Sequence, residues 1–358
     1  MRAGHCAGPR YVFGMRIAIV CSAHGLGHLT RQLALAPHLR AGGAEVVFFT
    51  AAPPAILYES LPGASIVPWT ADVGIRQHDS LTEDLPETVR LLAERCADSA
   101  VDALAAALVG FDRVIADAAP AALEAARRAG VPAVAVGNFS WPWIYDHYPR
   151  LQPWAKRLRA WQRPHPAVSL WPGPGLLDSG FARVHRAGLV GRRAEAHPMP
   201  AGAVLVSFGG FGLDALDAAL PRIDGVTWVL APPMAPLDRP DCLYLEGVPY
   251  PAMVAGVDVV LTKPGYGIFA EAALGQTRLL WVERGAFPEA PHMVVAMRAR
   301  GDVAVGAAPG TGGFAARLGA ALEAARARPR PPAVADDTAR LAGWLLSGWG
   351  ARRRSGGR

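Results

Sequence analysis

The sequence predicts an α/β fold with two successive doubly wound parallel sheets, and three observations carry that prediction. Short apolar runs alternate with helical periods through the first half of the chain. A stretch rich in Arg, His and Pro, residues 188–202, then interrupts the pattern, and the alternation restarts at Ala203. The strand-like runs are almost continuously apolar, as expected of strands covered by helices on both faces.

The first unit shows how this works. Arg16–Cys21 reads as a buried strand, and Ser22–Gly27 breaks it with Gly25 and Gly27. A helical period then runs through Leu29, Leu33, Ala36 and Leu39 and stops at Gly42–Gly43. A strand, a glycine turn and a helix N-terminus leave backbone N–H groups facing a cleft, and this turn also carries His24 and His28. It is not a dinucleotide fingerprint. Thr30 stands where the third glycine would be, and the next strand, Ala44–Thr50, runs into Ala-Ala-Pro-Pro instead of an acid for a ribose.

Pro53–Leu85 reads as loop-rich and holds Asp72, Gln77, His78 and Asp79. A long alanine- and leucine-rich helix is expected over 86–108, then a strand at Arg113–Ala116 ending at Asp117. Pro120 opens a helix that Gly130 closes. A strand over Val131–Val136 runs out into Gly137-Asn138-Phe139-Ser140-Trp141. Residues 141–171 hold five of the ten tryptophans among several arginines. This stretch could be an acceptor platform, a patch for weak peripheral contact with a membrane, or a helix packing its aromatic face while its arginines stay in water.

In the second unit, strands are expected at Ala203–Phe208, Val226–Ala231, Val257–Thr262, Arg278–Val282 and Asp302–Val305. Helices are expected at Ile268–Leu274, Pro291–Arg300 and Gly313–Ala327, and Asp336 or Asp337 would cap a last helix ending near Leu346. The organisation is therefore a leader at 1–14, a first domain at 15–187, a linker at 188–202, a second domain at 203–330, a terminal helix segment at 331–350 and a basic tail at 351–358.

Composition excludes several classes. At 358 residues, 51% hydrophobic and 18% charged, the chain is an ordinary globular one. The net charge of +6 equals the arginines at 2, 10, 352, 353, 354 and 358, all in the two tails, so no nucleic-acid footprint is expected on the body. Four cysteines without a C-x-x-C pair fit a reducing, cytoplasmic setting. No run reaches the length of a membrane span, and the leader lacks a signal-peptide core. No cluster has metal-ligand spacing, so neither a metal nor another cofactor is expected.

The motifs His-Gly-Leu-Gly-His-Leu-Thr-Arg (24–31), Asn-Phe-Ser-Trp-Pro-Trp-Ile-Tyr (138–145) and Lys-Pro-Gly-Tyr-Gly (263–267) occur in that order. Together they resemble the GT-B nucleotide-sugar glycosyltransferases, related to UDP-glycosyltransferases and peptidoglycan N-acetylglucosaminyltransferases. The likeness is greatest to the glycosyltransferase-like N-terminal half of plant arabinokinases, and it covers roughly 15–305 without the kinase half.

The resemblance implies two Rossmann-like domains facing a cleft, with a C-terminal helix returning to the first. It implies a metal-independent, inverting transfer from a nucleotide-diphosphate sugar, of the UDP type, to a small-molecule or lipid-linked acceptor. His28 would be the general base and Asp117 its orienting carboxylate, an imidazole suiting this role because it titrates near working pH. Donor contacts would come from Ser207, Gly209, Gly210, Val248, Lys263, Gly265, Tyr266 and Gly267, with Glu271 on the ribose and Glu289 on the sugar. Ala290 replaces the glutamine that usually follows the last of these. The acceptor side would hold His24, Gly25, Gly27, Asn138, Ser140, Trp141 and Tyr145. Two alternatives use the same scaffold: an epimerase or hydrolase acting without an acceptor, and a non-catalytic sugar-nucleotide sensor. No residue pattern assigns an acceptor or an oligomeric state.

Overall fold

The computed structural model describes residues 14–22, 24–70, 72–76, 83–173, 176, 180–208, 220–283, 287–307, 309 and 311–348. The first lobe contains β1 (Met15–Cys21), α1 (Leu26–Ala41), β2 (Ala44–Thr50), α2 (Pro54–Ser60), β3 (Ser65–Pro68), α3 (Leu85–Arg95), α4 (Asp98–Ala107), β4 (Arg113–Asp117), α5 (Pro120–Ala129), β5 (Ala133–Gly137), α6 (Trp141–Asp146), α7 (Gln152–Gln162), β6 (Pro166–Leu170) and β7 (Arg183–Ala187). Its seven strands are all parallel, in the order β3-β2-β1-β4-β5-β6-β7.

The second lobe contains β8 (Ala203–Ser207), β9 (Thr227–Leu230), β10 (Cys242–Tyr244), α8 (Tyr250–Gly256), β11 (Val259–Thr262), α9 (Tyr266–Leu274), β12 (Arg278–Trp281), α10 (Ala290–Arg300), β13 (Val303–Ala304) and α11 (Phe314–Ala327), and α12 (Thr338–Ser347) follows. Its six strands are also parallel, in the order β10-β9-β8-β11-β12-β13. Both sheets reverse strand order beside their first strand, at β1/β4 and at β8/β11. The carboxyl ends of the strands there open a crevice where ligands bind in doubly wound folds. In the first lobe the crevice brings Asp117 opposite Cys21, and in the second Thr262 opposite Ser207.

Helix α12 packs on α1, burying Leu341, Ala342 and Leu345. The contact is close: a Cβ on Gly42 would lie 2.3 Å from Leu346 Cδ1. Asp337 ties this end to the start of the linker, accepting from the Gly188 N–H at 2.6 Å and donating its own N–H to the Leu189 carbonyl at 2.9 Å.

Several expectations change. The helix expected over 86–108 is two helices, broken at Cys96–Ala97, where Ala97 is extended. The break lets α4 turn onto α5, where Arg128 bonds Asp98 at 2.7 Å and Asp102 at 2.8 Å. The loop-rich segment contains α2 and β3. Strands β3, β6, β7 and β10 were not expected, and of these β3, β7 and β10 lie at sheet edges and are only partly buried. Edge strands do not need a fully apolar run. In the Trp- and Arg-rich stretch, the Arg157 guanidinium lies 5.5 Å from the Trp154 ring and 5.2 Å from Trp161, so stacking within this layer organises it. No helix among the described residues is long and apolar enough to cross a membrane.

Candidate functional site

The site begins at the turn after β1. Gly25 precedes α1 at φ +79°, a conformation that suits glycine, and starts the helix so that His28 falls in its first turn. Arg31 and Gln32 follow three and four residues later and therefore share the face of His28. All three point at the end of β4. His28 Nδ1 lies 2.9 Å from Asp117 Oδ1, with the imidazole and the carboxylate both buried. Arg31 donates Nε to Asp117 Oδ2 at 2.6 Å and Nη2 to Oδ1, and Gln32 Nε2 donates to Oδ2 at 2.6 Å.

Burial pushes the Asp117 carboxyl up. The Arg31 charge, with the hydrogen bonds from Arg31 and His28, outweighs it and holds the group below the usual carboxylate range. Burial likewise lowers Arg31, but Asp117 more than compensates. The pair is ionised, and its internal bonds satisfy two charges that would be costly alone in the interior.

A second carboxylate stands nearby. Asp72 Oδ2 accepts from Ser22 Oγ at 2.7 Å and from Trp141 Nε1 at 2.6 Å. Burial pushes it up to about 6, against the lowering effect of the bonds from Ser22 and Trp141. His24 takes part in the same structure: its backbone N–H donates to Ser22 Oγ at 3.0 Å, and its ring makes a T-shaped contact with Trp141, centroids 5.2 Å apart.

Three of the acceptor-side residues lie in the packed layer beneath this turn. Trp141 and Tyr145 are buried and stacked at 5.8 Å, and they brace the 72–76 segment, with the Tyr145 hydroxyl donating to the Gly74 carbonyl at 2.9 Å. Ser140 is buried, and its Oγ has no hydrogen-bond partner among the described residues. The polar tips of this aromatic motif close on the loop above it.

The lobes meet at this point. Asn138, after β5, accepts from Arg31 Nη1 at 2.6 Å and donates Nδ2 to Glu289 Oε1 at 2.6 Å, so Glu289 reaches across to the first lobe. The two glycine turns also face one another: a Cβ on Gly27 would lie 3.5 Å from the Gly267 nitrogen, and one on Gly267 would lie 3.1 Å from Gly27 Cα. The N-termini of α1 and α9 are thus close neighbours, each with unsatisfied N–H groups and a positive dipole end.

The donor-side residues are placed as follows. Gly265 is the N-cap of α9. Tyr266 is buried, and its hydroxyl bonds the Val190 N–H at 3.1 Å and the Val190 carbonyl at 3.2 Å, anchoring the linker. Glu271 is buried and paired with Arg192 at 2.7 Å, and Arg192 also donates to Ser60 Oγ of the first lobe at 2.8 Å. Ser207 and Tyr250 are joined by their hydroxyls. Val248 and Lys263 are half-buried. Gly209 and Gly210 lie outside the described residues, as do Gln77, His78 and Asp79. No group of three or more His, Cys, Asp or Glu among the described residues could hold a metal ion.

Sequence reasoning assigned no role to Arg31, Gln32, Asp72, Arg192 or Tyr250. The first two were within reach, because their helical spacing from His28 was visible. The other three take their places through long-range packing alone.

The fold is GT-B. No protein-family model matches the chain. In sequence it is similar to L-arabinokinase of Arabidopsis thaliana, 27% identical over 305 residues, which is 77% of this chain and 29% of that protein. The chain thus spans under a third of that relative's length. In structure it is similar to UGT89C1 of Arabidopsis thaliana complexed with UDP, with a TM-score of 0.60, 16% identity, and coverage of 93% of this chain and 98% of that one. It is also similar to the glycosyltransferase of kitacinnamycin, with a TM-score of 0.56, 20% identity, and coverage of 92% and 98%.

Proposed function

We propose that the protein is a glycosyltransferase that moves a sugar from a nucleotide-diphosphate donor of the UDP type to a small-molecule or lipid-linked acceptor, with inversion. The observation that carries this is the His28–Asp117 pair at the first lobe's crevice, directly across from the glycine turn of the second.

In this reading Asp117 accepts from Nδ1–H and fixes the tautomer, which leaves Nε2 to take the proton of the acceptor hydroxyl. The hydroxyl oxygen then bonds to the anomeric carbon as its bond to the diphosphate breaks, and one displacement inverts that centre. The departing charge falls at Gly265–Gly267, where the α9 N-terminus offers backbone N–H groups and needs no metal. Glu271 would take the ribose hydroxyls, with Arg192 holding its carboxylate in place. The UDP in one structural neighbour and the likeness to the arabinokinase support a nucleotide-sugar donor.

The test is a thermal-shift screen of nucleotide diphosphates and their sugars, which should find a stabilising ligand by mass action. Product analysis with and without acceptors follows. His28→Ala should lower turnover by about 10²–10⁴-fold while nucleotide binding persists. Normal transfer by that variant would remove His28 as the base.

A further inference from the structure

His28 faces an unusual combination of charges. Asp117 comes from β4, Arg31 from its own helix and Asp72 from the segment after β3. Cys21 of β1 and Tyr266 of α9 pack nearby, but burial pushes both groups up, so they stay neutral. His24 makes a T-shaped contact with Trp141, and Glu289 accepts from Asn138, which in turn accepts from Arg31.

Asp117 accepts from His28 and Arg31 at one oxygen and from Arg31 and Gln32 at the other. A carboxylate offers about four acceptor sites, so this one is saturated. Arg31 Nη2 lies 2.6 Å from His28 Nδ1. Guanidinium has no acceptor, so with Nδ1–H turned to Asp117 the two groups share one oxygen, and the cation lies directly beside the ring. An unpaired buried carboxylate would favour the doubly protonated imidazole, whereas a carboxylate already neutralised by Arg31 orients the ring without that bias.

We propose that Arg31 is a positioning residue: it neutralises Asp117 so that the carboxylate orients His28 without drawing a second proton onto the ring, and the Asn138–Glu289 bridge holds the guanidinium there while the lobes are together. The proposal rests on the reading of His28 as the base.

The test uses the full chain labelled with ¹⁵N-histidine, with the His28 ring signals assigned by their loss in His28→Gln, and follows their titration. Arg31→Gln should raise the midpoint by about 1–2 pH units, and Arg31→Lys should keep it within about half a unit of wild type. An unchanged midpoint in Arg31→Gln overturns the proposal. If that variant does not fold, Arg31→Gln with Asp117→Asn removes both charges together. Its midpoint should stay within about half a unit of wild type, and a fall of about a unit or more would show Asp117 to have been unscreened. Asn138→Ala, which changes no charge, should move the midpoint upward by less than Arg31→Gln does; no movement overturns the role of the bridge. Where transfer can be assayed, the acid limb of the rate profile should follow these shifts. If no nucleotide sugar is turned over, the proposed function fails, but the titration still decides the role of Arg31.

Discussion

Replacing Asp72 by Asn should stabilise the protein at neutral pH, and the structure sets the size of the effect. The carboxyl is half-buried between Ser22 and Trp141 and is pushed up from 3.8 to about 6, loss of solvent being the main cause. In the unfolded chain it ionises near 4. Its folded pKa is the higher one, so its favourable contribution is complete below about 4 and disappears as pH rises through 6. The difference of about two units corresponds to a cost of roughly 3 kcal/mol at pH 7.5.

An amide is neutral throughout, and its oxygen can still accept from Ser22 Oγ and Trp141 Nε1. Its NH₂ needs a partner, which reduces the gain to about 1–3 kcal/mol. Urea unfolding of wild type and Asp72→Asn across pH 4–8 measures this directly. The two should be nearly equal at pH 4, with the variant's advantage opening between about 4 and 6. Buried His165, whose ionisation burial pushes down, also titrates on folding. It is the same in both proteins and cancels in the difference. A variant that is less stable at pH 7.5, or a difference that does not change with pH, would refute the reasoning.

Two further outcomes follow from packing. Gly267→Ala would bring a Cβ to 3.0 Å from Thr30 Oγ1 and 3.1 Å from Gly27 Cα, so it should cost about 1–3 kcal/mol in chemical denaturation. Gly265→Ala is its control, since the nearest atom there is the Lys263 carbonyl at 3.9 Å. Leu341→Ala should cost about 2–5 kcal/mol, because Leu341 is 1% exposed on the face that α12 turns to α1. Limited proteolysis should then cut near α12 sooner than in wild type.

Much of the architecture was legible because central parallel strands have to be apolar on both faces. β1, β2, β4, β8 and β11 are such strands, and each was visible as a short apolar run before a glycine, a proline or a polar end. The partly buried edges β3, β7 and β10 were not, since a strand paired on one side and wet on the other carries no such run. The fracture of the expected 86–108 helix was equally hidden. Both halves have good helical composition, and what separates them is the packing of α4 on α5.

At the site the division is sharper. The chain order alone determined that a histidine opens the first helix and that an aspartate ends a strand beside it. Local periodicity sets both positions. It also put Arg31 and Gln32 on the histidine's face. Only the tertiary structure decided that Asp117 is shared among all three, that Asp72 stands half-buried near them, that Glu289 reaches across to Asn138 and that Glu271 pairs with Arg192 of the linker. Asn138 and Glu289 are 151 residues apart, and Arg192 of the linker and Glu271 are 79 apart. Local patterns record which face of an element is buried, whereas the charge that meets a side chain there depends on how two lobes close.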